Sequence, residues 1–223
     1  MKIKQDINFL EYPLWFPAKV SEENGYVWKD KEGYTYRSAY KVPDKTDALI
    51  LFYLLLKAQK QDYQENFILS QYEILKGCGF YGNSWYYERL EDSLRRWTGI
   101  MIEFKGTFYD GKNYKTLFFH ILESAKIRKE DQKVEICFSP EFLLKIKESK
   151  FCKYINFQQY KALKRPISLR LFEILCKNFK GRAEWQIDLV KLALKLPISK
   201  RTVQSLKGEK EAFFHSDVLI KIK

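Results

Sequence analysis

The sequence predicts an α+β fold in which two tandem units each join a helix-turn-helix to a β-hairpin. Three observations predict it. Periodicity and caps define three helices between Asp44 and Thr98, the second short and the third longer. Period-two alternation then takes over, with Ile100, Ile102 and Phe104 set against Met101, Glu103 and Lys105, and Asp110-Gly111 is a strong hairpin signal. Beyond Ser168 the order of helix, short strand, helix, turn and helix returns, without a residue-level repeat.

Residues 1–43 are rich in aromatics, and Tyr26–Lys29 with Tyr34–Tyr40 read as a hairpin around Lys31-Glu32-Gly33. They are expected to form an N-terminal arm or a small sheet. Pro43 and Asp44 stop that strand and start the helix Asp44–Gln59, whose buried face carries Leu49, Phe52, Tyr53 and Leu56. Phe67–Leu69 is a bridge strand. Ser70 and Glu73 have capping-box spacing and open a short helix, Gln71–Lys76, which Gly77 and Gly79 break. Ser84 is placed to cap the third helix, Trp85–Thr98, with Gly99 beyond its end. In that helix Tyr87, Leu90, Leu94 and Trp97 form a core stripe, and Tyr86, Arg89, Ser93 and Arg96 a stripe fit for a charged surface.

Tyr114–Leu122 returns as the partner of the Ile100 strand, and Val134–Phe138 begins a third strand. Helices followed by a hairpin make a winged helix, here with Lys105, Lys112 and Lys115 at the tip of the wing. Ser139-Pro140-Glu141 starts a further helix that ends near Ser149, and Phe151–Phe157 extends again. The second unit reads as helix Ser168–Lys180, strand Glu184–Ile187, helix Leu189–Leu196 capped by Asp188, a brief helix Ser199–Leu206, a loop Lys207–Glu211, and a last helix from Ser216 or Asp217 to Lys223. The division is therefore 1–43, 44–157 and 158–223.

Composition narrows the function. The longest uncharged apolar run, Ala48–Leu56, has nine residues, against the roughly 20 a membrane span needs. Asp6, Glu11 and Pro13 interrupt the N-terminal apolar segment, which makes a poor signal peptide. Cys78, Cys137, Cys152 and Cys176 are scattered with no Cys-x-x-Cys pair, as expected of structural thiols in a reducing cytoplasm. The net charge of +12 is uneven: Lys161–Lys223 holds 15 basic and 6 acidic residues, a net of +9, while the first 160 residues hold 25 and 22, a net of +3. A basic half on a nearly neutral half points to a polyanion, usually nucleic acid.

No catalytic constellation is visible. His120 and His215 are far apart, and Gly77, Gly79 and Gly82 lack the Lys-Ser/Thr of a phosphate loop. The expectation is a protein that is not an enzyme and takes no metal and no cofactor. Lys145, Lys147 and Lys150 read as a solvated helix face, His120 as a satisfied strand imidazole, and Arg170 as structural, paired with Glu173 or the preceding strand.

Val134–Lys150 resembles the strand and helix before the interdomain junction of plasmid replication initiator (Rep) proteins. Phe151–Phe157 resembles their Phe-x-x-Tyr strand. Ser168-Leu169-Arg170-Leu171-Phe172-Glu173-Ile174-Leu175 resembles their Ser-x-Arg-Leu-Tyr-Glu-x-Leu helix, with Phe172 in place of Tyr, and Trp185–Pro197 looks like the strand, helix and turn that follow. The resemblance is good over Val134–Pro197 and one of pattern over Thr46–Leu122. It implies two winged-helix domains that bind double-stranded DNA at origin repeats (iterons) and open the origin. It also implies host replication proteins as partners, a homodimer through the first domain, and repression of the initiator's own promoter. In the family the recognition helix of the second domain continues past the point where this chain stops, which leaves open a truncated second unit. A winged-helix transcriptional repressor without a replication role is the alternative.

DNA binding divides into phosphate positioning and base reading. Lys105, Lys112, Lys115, Lys164, Arg165, Lys207 and Lys210 are the phosphate candidates. Ser84, Tyr86, Arg89 and Arg96 are the base readers expected in the first domain, since Arg pairs bidentately with guanine. Lys200, Arg201, Ser216 and Lys221 are their counterparts in the second; the pattern leaves open whether Ser199–Leu206 or Ser216–Lys223 enters the groove, and the resemblance favours the latter.

Overall fold

A computed structural model describes residues 1–17, 25–29, 33–111, 114–179, 184–196 and 219–222. The chain opens with strand β1 (Lys2–Asp6), helix α1 (Ile7–Glu11) and strands β2 (Tyr26–Lys29) and β3 (Tyr34–Ser38). Helix α2 (Lys45–Lys60), strand β4 (Asn66–Ser70) and helices α3 (Gln71–Cys78) and α4 (Ser84–Thr98) follow. Next come strands β5 (Ile100–Phe104), β6 (Leu117–His120), β7 (Leu122–Ile127) and β8 (Lys133–Phe138), then helix α5 (Pro140–Lys147), strand β9 (Cys152–Asn156) and helix α6 (Phe157–Ala162). Helix α7 (Pro166–Asn178), strand β10 (Trp185–Asp188), helix α8 (Leu189–Lys195) and strand β11 (Leu219–Ile222) complete the described elements.

The three helices start where their caps dictate. Asp44 accepts from the Thr46 and Asp47 amides while the Asp47 carboxylate returns to the Asp44 amide, a full capping box. Ala48–Leu56 is buried all round, so α2 is the central helix of the domain. Ser70 accepts from the Glu73 amide, but the Glu73 carboxylate pairs with Lys57 instead of reaching back. Gly77 does not break α3; it lies inside it, because a Cβ there would meet the Tyr53 ring at 2.1 Å. Gly79, with φ of 85°, supplies the left-handed cap. Asn83, one residue before Ser84, caps α4 by accepting from the Tyr86 amide.

The wing is not where the sequence places it. Strands β4, β8 and β7 form an antiparallel sheet in that order, and with α2, α3 and α4 they make the winged helix. Its wing is the turn Arg128–Gln132, closed by the Arg128 amide on the Lys133 carbonyl. Lys105 and Lys115 instead flank a connection in a separate sheet of order β2-β3-β5-β6. The run Tyr114–Leu122 is split between the two sheets. Ile121 and Leu122 are both buried in succession, which breaks the alternation and passes the chain from one sheet to the other.

Residues 1–43 are no separate arm in their described parts. β1 pairs antiparallel with β9, placing Ile3 opposite Ile155, and β2 and β3 join the four-stranded sheet. Phe9, Leu10, Leu14, Trp15 and Phe16 lie in the same continuous core as α2. Lys145 also departs from expectation. It is buried, its ammonium donates to the Tyr114 hydroxyl and pairs with Asp110 and Glu141, and it sits over the Tyr114 ring at 4.4 Å. Lys147 does face solvent, paired with Asp62. His120 is exposed at a strand edge, its Nδ1 3.0 Å from the Ile100 carbonyl oxygen.

The second unit opens as expected, with α7, β10 and α8 around a small core of Ile174, Ile187, Leu192 and Leu196. Its last described element is β11, antiparallel to β10, where a helix was expected. The Leu-Ile-Lys-Ile run is compatible with a strand, and Ser216 and Asp217, from which the helix was expected to start, lie outside the described residues. Ser199–Leu206 lies outside them too.

A buried polar hub joins the units. The Arg170 guanidinium donates to the Glu173 carboxylate at 2.6 Å, to the Glu11 carbonyl at 2.8 Å and to the Lys195 carbonyl at 3.3 Å. The Glu173 carboxylate also accepts from the Trp15 indole at 2.8 Å and from the Tyr160 hydroxyl. Burial and the neighbouring Glu173 carboxylate push the Tyr160 phenol well above its ordinary pKa, so it stays a donor. Lys177 and Lys195 pair with the Glu11 carboxylate. Glu173→Gln strands the Arg170 charge and is expected to lower the unfolding free energy by about 3–5 kcal/mol in urea denaturation. A loss near that of a surface pair, under about 1 kcal/mol, would show that the hub does not hold the units together.

Candidate nucleic-acid interface

Helix α4 is the third helix of the winged unit, and its sides have separate duties. Leu90, Ser93, Leu94 and Trp97 face the core, and the Trp97 indole donates to the Asp47 carbonyl at 3.0 Å. Ser84, Glu88, Glu91 and Arg95 recur at helical spacing on the opposite, solvent side, with Trp85 beside them, 58% exposed. Arg95 holds Glu91 at 3.2 Å in an open i,i+4 pair.

The arginines expected to read bases lie on neither side. Arg89 donates to Asp47 at 2.7 and 2.8 Å and to Asp44 at 2.9 Å. Arg96 donates to Asp92 at 2.7 and 2.9 Å, to the Val42 carbonyl at 2.9 Å and to Asp47 at 3.3 Å. Both are largely buried between α4 and the start of α2. Burial pushes the Asp47 carboxyl up, and the Arg89 hydrogen bonds pull it back. Asp92 feels the same opposition, but there Arg96 and Arg89 outweigh burial and hold the carboxyl below its ordinary value. Charge placed on this flank of α4 locks the helix to α2 instead of waiting for DNA. The helix pattern shows a charged stripe; Asp92, four residues before Arg96, lies within the reach of periodicity, but Asp44 and Asp47, which tie the stripe to α2, sit some forty residues earlier and do not.

A groove of about 490 Å³ runs between α4 and the wing, lined by Glu91, Leu94, Arg95 and Thr98 on the helix and by Ala125, Ile127, Arg128, Lys129 and Gln132 opposite. On the wing, Arg128 lies 3.5 and 3.4 Å from Asp131 and Glu135, and Lys133 pairs with Asp131 at 3.1 Å. Lys129 is exposed and has no ion pair among the described residues. A second set of cations gathers at the interdomain linker. Lys45 at the start of α2 donates to the Lys164 carbonyl at 2.6 Å, and Lys161 on α6 to the Gly77 carbonyl at 3.5 Å. Lys164 and Arg165 are exposed beside them, without an ion pair among the described residues.

The other sequence candidates divide as follows. Ser84 opens α4 and is exposed. Tyr86 is half-buried, stacked on Phe80 at 4.9 Å, and serves the helix-turn-helix packing. Lys105 is exposed but pairs with Glu103 at 3.3 Å, and with exposed Lys115 it belongs to the four-stranded sheet, away from the wing. Lys221 lies on β11 opposite Gln186. Lys112, Lys200, Arg201, Lys207, Lys210 and Ser216 lie outside the described residues. Missed by the sequence reading were Glu88 and Arg95, on the solvent stripe of α4, and Arg128 and Lys129 on the true wing. Among the described residues no helix is long and apolar enough to cross a membrane, and no group of three His, Cys, Asp or Glu side chains is set to hold a metal.

A helix-turn-helix carrying a β-wing, joined through a polar hub to a second unit that begins in the same way, defines a tandem winged-helix protein. The family described as initiator replication protein, WH1, matches residues 31–176, and the chain belongs to it. No curated protein matches. Among solved structures, domains 2 and 3 of RctB share 16% identity over 94% of this chain and 85% of that chain, with a TM-score of 0.58. A second RctB structure, spanning the same domains, shares 15% over 92% and 82%, with a TM-score of 0.56. The Pi initiator protein, solved in complex with iteron DNA, shares 12% over 76% and 74%, with a TM-score of 0.50. At these identities the likeness is one of fold, and it extends across both units.

Arg89→Ala is expected to act on stability and not on recognition. It leaves Asp47 buried with Arg96 alone, which lowers the unfolding free energy by about 2–3 kcal/mol. The folded fraction should bind DNA as the wild type does. Chemical denaturation and fluorescence anisotropy, run side by side, check both halves.

Proposed function

We propose that the protein is a plasmid replication initiator that binds double-stranded DNA at tandem origin repeats and nucleates origin opening. It acts by binding and not as an enzyme. Its partners are the origin duplex, host replication proteins and, through the first domain, a second copy of itself, all in the cytoplasm. The observation that carries this reading is the pairing of a family-matched winged helix with a cationic linker, Lys161, Lys164 and Arg165, on which Lys164 and Arg165 are exposed. The Pi initiator protein, which has the same fold, was solved on iteron DNA. Phosphate contacts of this kind release counterions, so affinity falls with salt in proportion to their number.

Selection of bound fragments from plasmid DNA is expected to return tandem direct repeats. Binding without preference for any fragment would overturn the reading. The double substitution Lys164→Ala with Arg165→Ala should weaken binding to every duplex alike and flatten the log–log salt slope by about two. Anisotropy titrations between low and moderate salt measure that slope.

A further inference from the structure

The solvent stripe of α4 carries the wrong charge for a surface that only holds phosphates. Ser84, Glu88, Glu91 and Arg95 stand above one another, opposite Leu90, Leu94 and Trp97. Glu91 is occupied by Arg95, at 3.2 Å. Glu88 is exposed, lies one helical turn before Glu91, and has no ion pair among the described residues. It therefore occupies the middle of the outward face of the third helix, the element that a winged helix lays into a major groove. A carboxylate there cannot accept from a phosphate and is repelled by it. It becomes favourable only against a base-edge donor, and the pairing that suits an acid is the N4 amino group of cytosine. The arginines that would otherwise read bases are committed to Asp47, Asp44 and Asp92.

We infer that the first domain reads one C·G pair of its repeat through Glu88, which accepts from cytosine N4, while Arg95, oriented by Glu91, lies about two helical turns further along the same face. This rests on the duplex-binding reading above and names the residue that makes that binding selective. Thymine in place of the cytosine puts the O4 acceptor against the carboxylate and is rejected. The pairing accounts for an acid on a DNA-facing helix, which a purely electrostatic grip would exclude.

The test uses the full chain and a panel of duplexes, each carrying one base-pair replacement in the selected repeat. For the wild type, one C·G to T·A replacement under α4 should weaken binding by roughly 5- to 150-fold. In Glu88→Ala that penalty should vanish at that position alone, with every other position unchanged. In Glu88→Gln the preference at that position should move toward A·T, because an amide both donates to and accepts from adenine. Glu88 is exposed, so both variants should melt with the wild type. If Glu88→Ala instead binds every duplex more tightly by one common factor, with all preferences intact, the carboxylate merely repels DNA and the inference fails while duplex binding stands. If the wild type itself prefers no duplex, the reading beneath it fails.

Discussion

Arg170 and Glu173 lie one turn apart on α7 with almost no exposure, and distant parts of the chain converge on them. Trp15 and the Glu11 carbonyl arrive from the opening segment, Tyr160 from α6, and the Lys195 carbonyl from the end of α8. A buried ion pair gains little net energy, since desolvating two charges offsets most of their attraction. What it contributes is direction. A guanidinium and a carboxylate have donor and acceptor sites at fixed angles, and here they are shared among the opening segment, α6 and α8 as well as with each other. An apolar plug of equal volume would fill the space without specifying how α7 meets α1 and α6. The Ser-x-Arg-Leu-Phe-Glu motif is therefore a geometric constraint on the junction between the two units.

The same economy shapes α4. Its core side packs, its flank is clamped by Asp44 and Asp47 with Asp92 orienting the arginines from within the helix, and its remaining stripe faces solvent. The clamp uses charge as structure. With Arg89 and Arg96 held by several hydrogen bonds each, α4 has a fixed rotation about its own axis relative to α2. That rotation, which the packing of Leu90, Leu94 and Trp97 also sets, turns Ser84, Glu88, Glu91 and Arg95 to solvent.

Much of this was legible in the residues. The caps at Asp44, Ser70 and Asp188, Pro140 in the first turn of α5 (where Ser139 makes no side-chain cap bond) and the left-handed Gly79 mark their helices because helix ends are local chemistry. Spacing offered Glu173 or the preceding strand as the partner of Arg170, and the structure selects Glu173. What escaped was long-range. Period-two alternation identifies Ile100–Phe104 and Leu117–His120 as strands but not the sheet they join, and Ile121-Leu122 marks the switch only once the partner of β7 is known. The charged stripe of α4 was visible, yet its commitment to Asp47 depends on how two helices pack. Lys145 looked like one of several surface lysines until the loop containing Asp110 and Tyr114 closed over it.

The pairing of β1 with β9 has a bearing on biosynthesis. Residues Lys2–Asp6 leave the ribosome well ahead of their partner strand Cys152–Asn156, which is made only after most of the first domain. The opening aromatic segment, with Phe9, Leu10, Trp15 and Phe16, meanwhile lacks its final neighbours. The first winged helix thus cannot lock in strict N-to-C order. Its closing strand emerges just ahead of Tyr160 and Arg170, so the seal on one module and the tether to the next become available at nearly the same moment of translation.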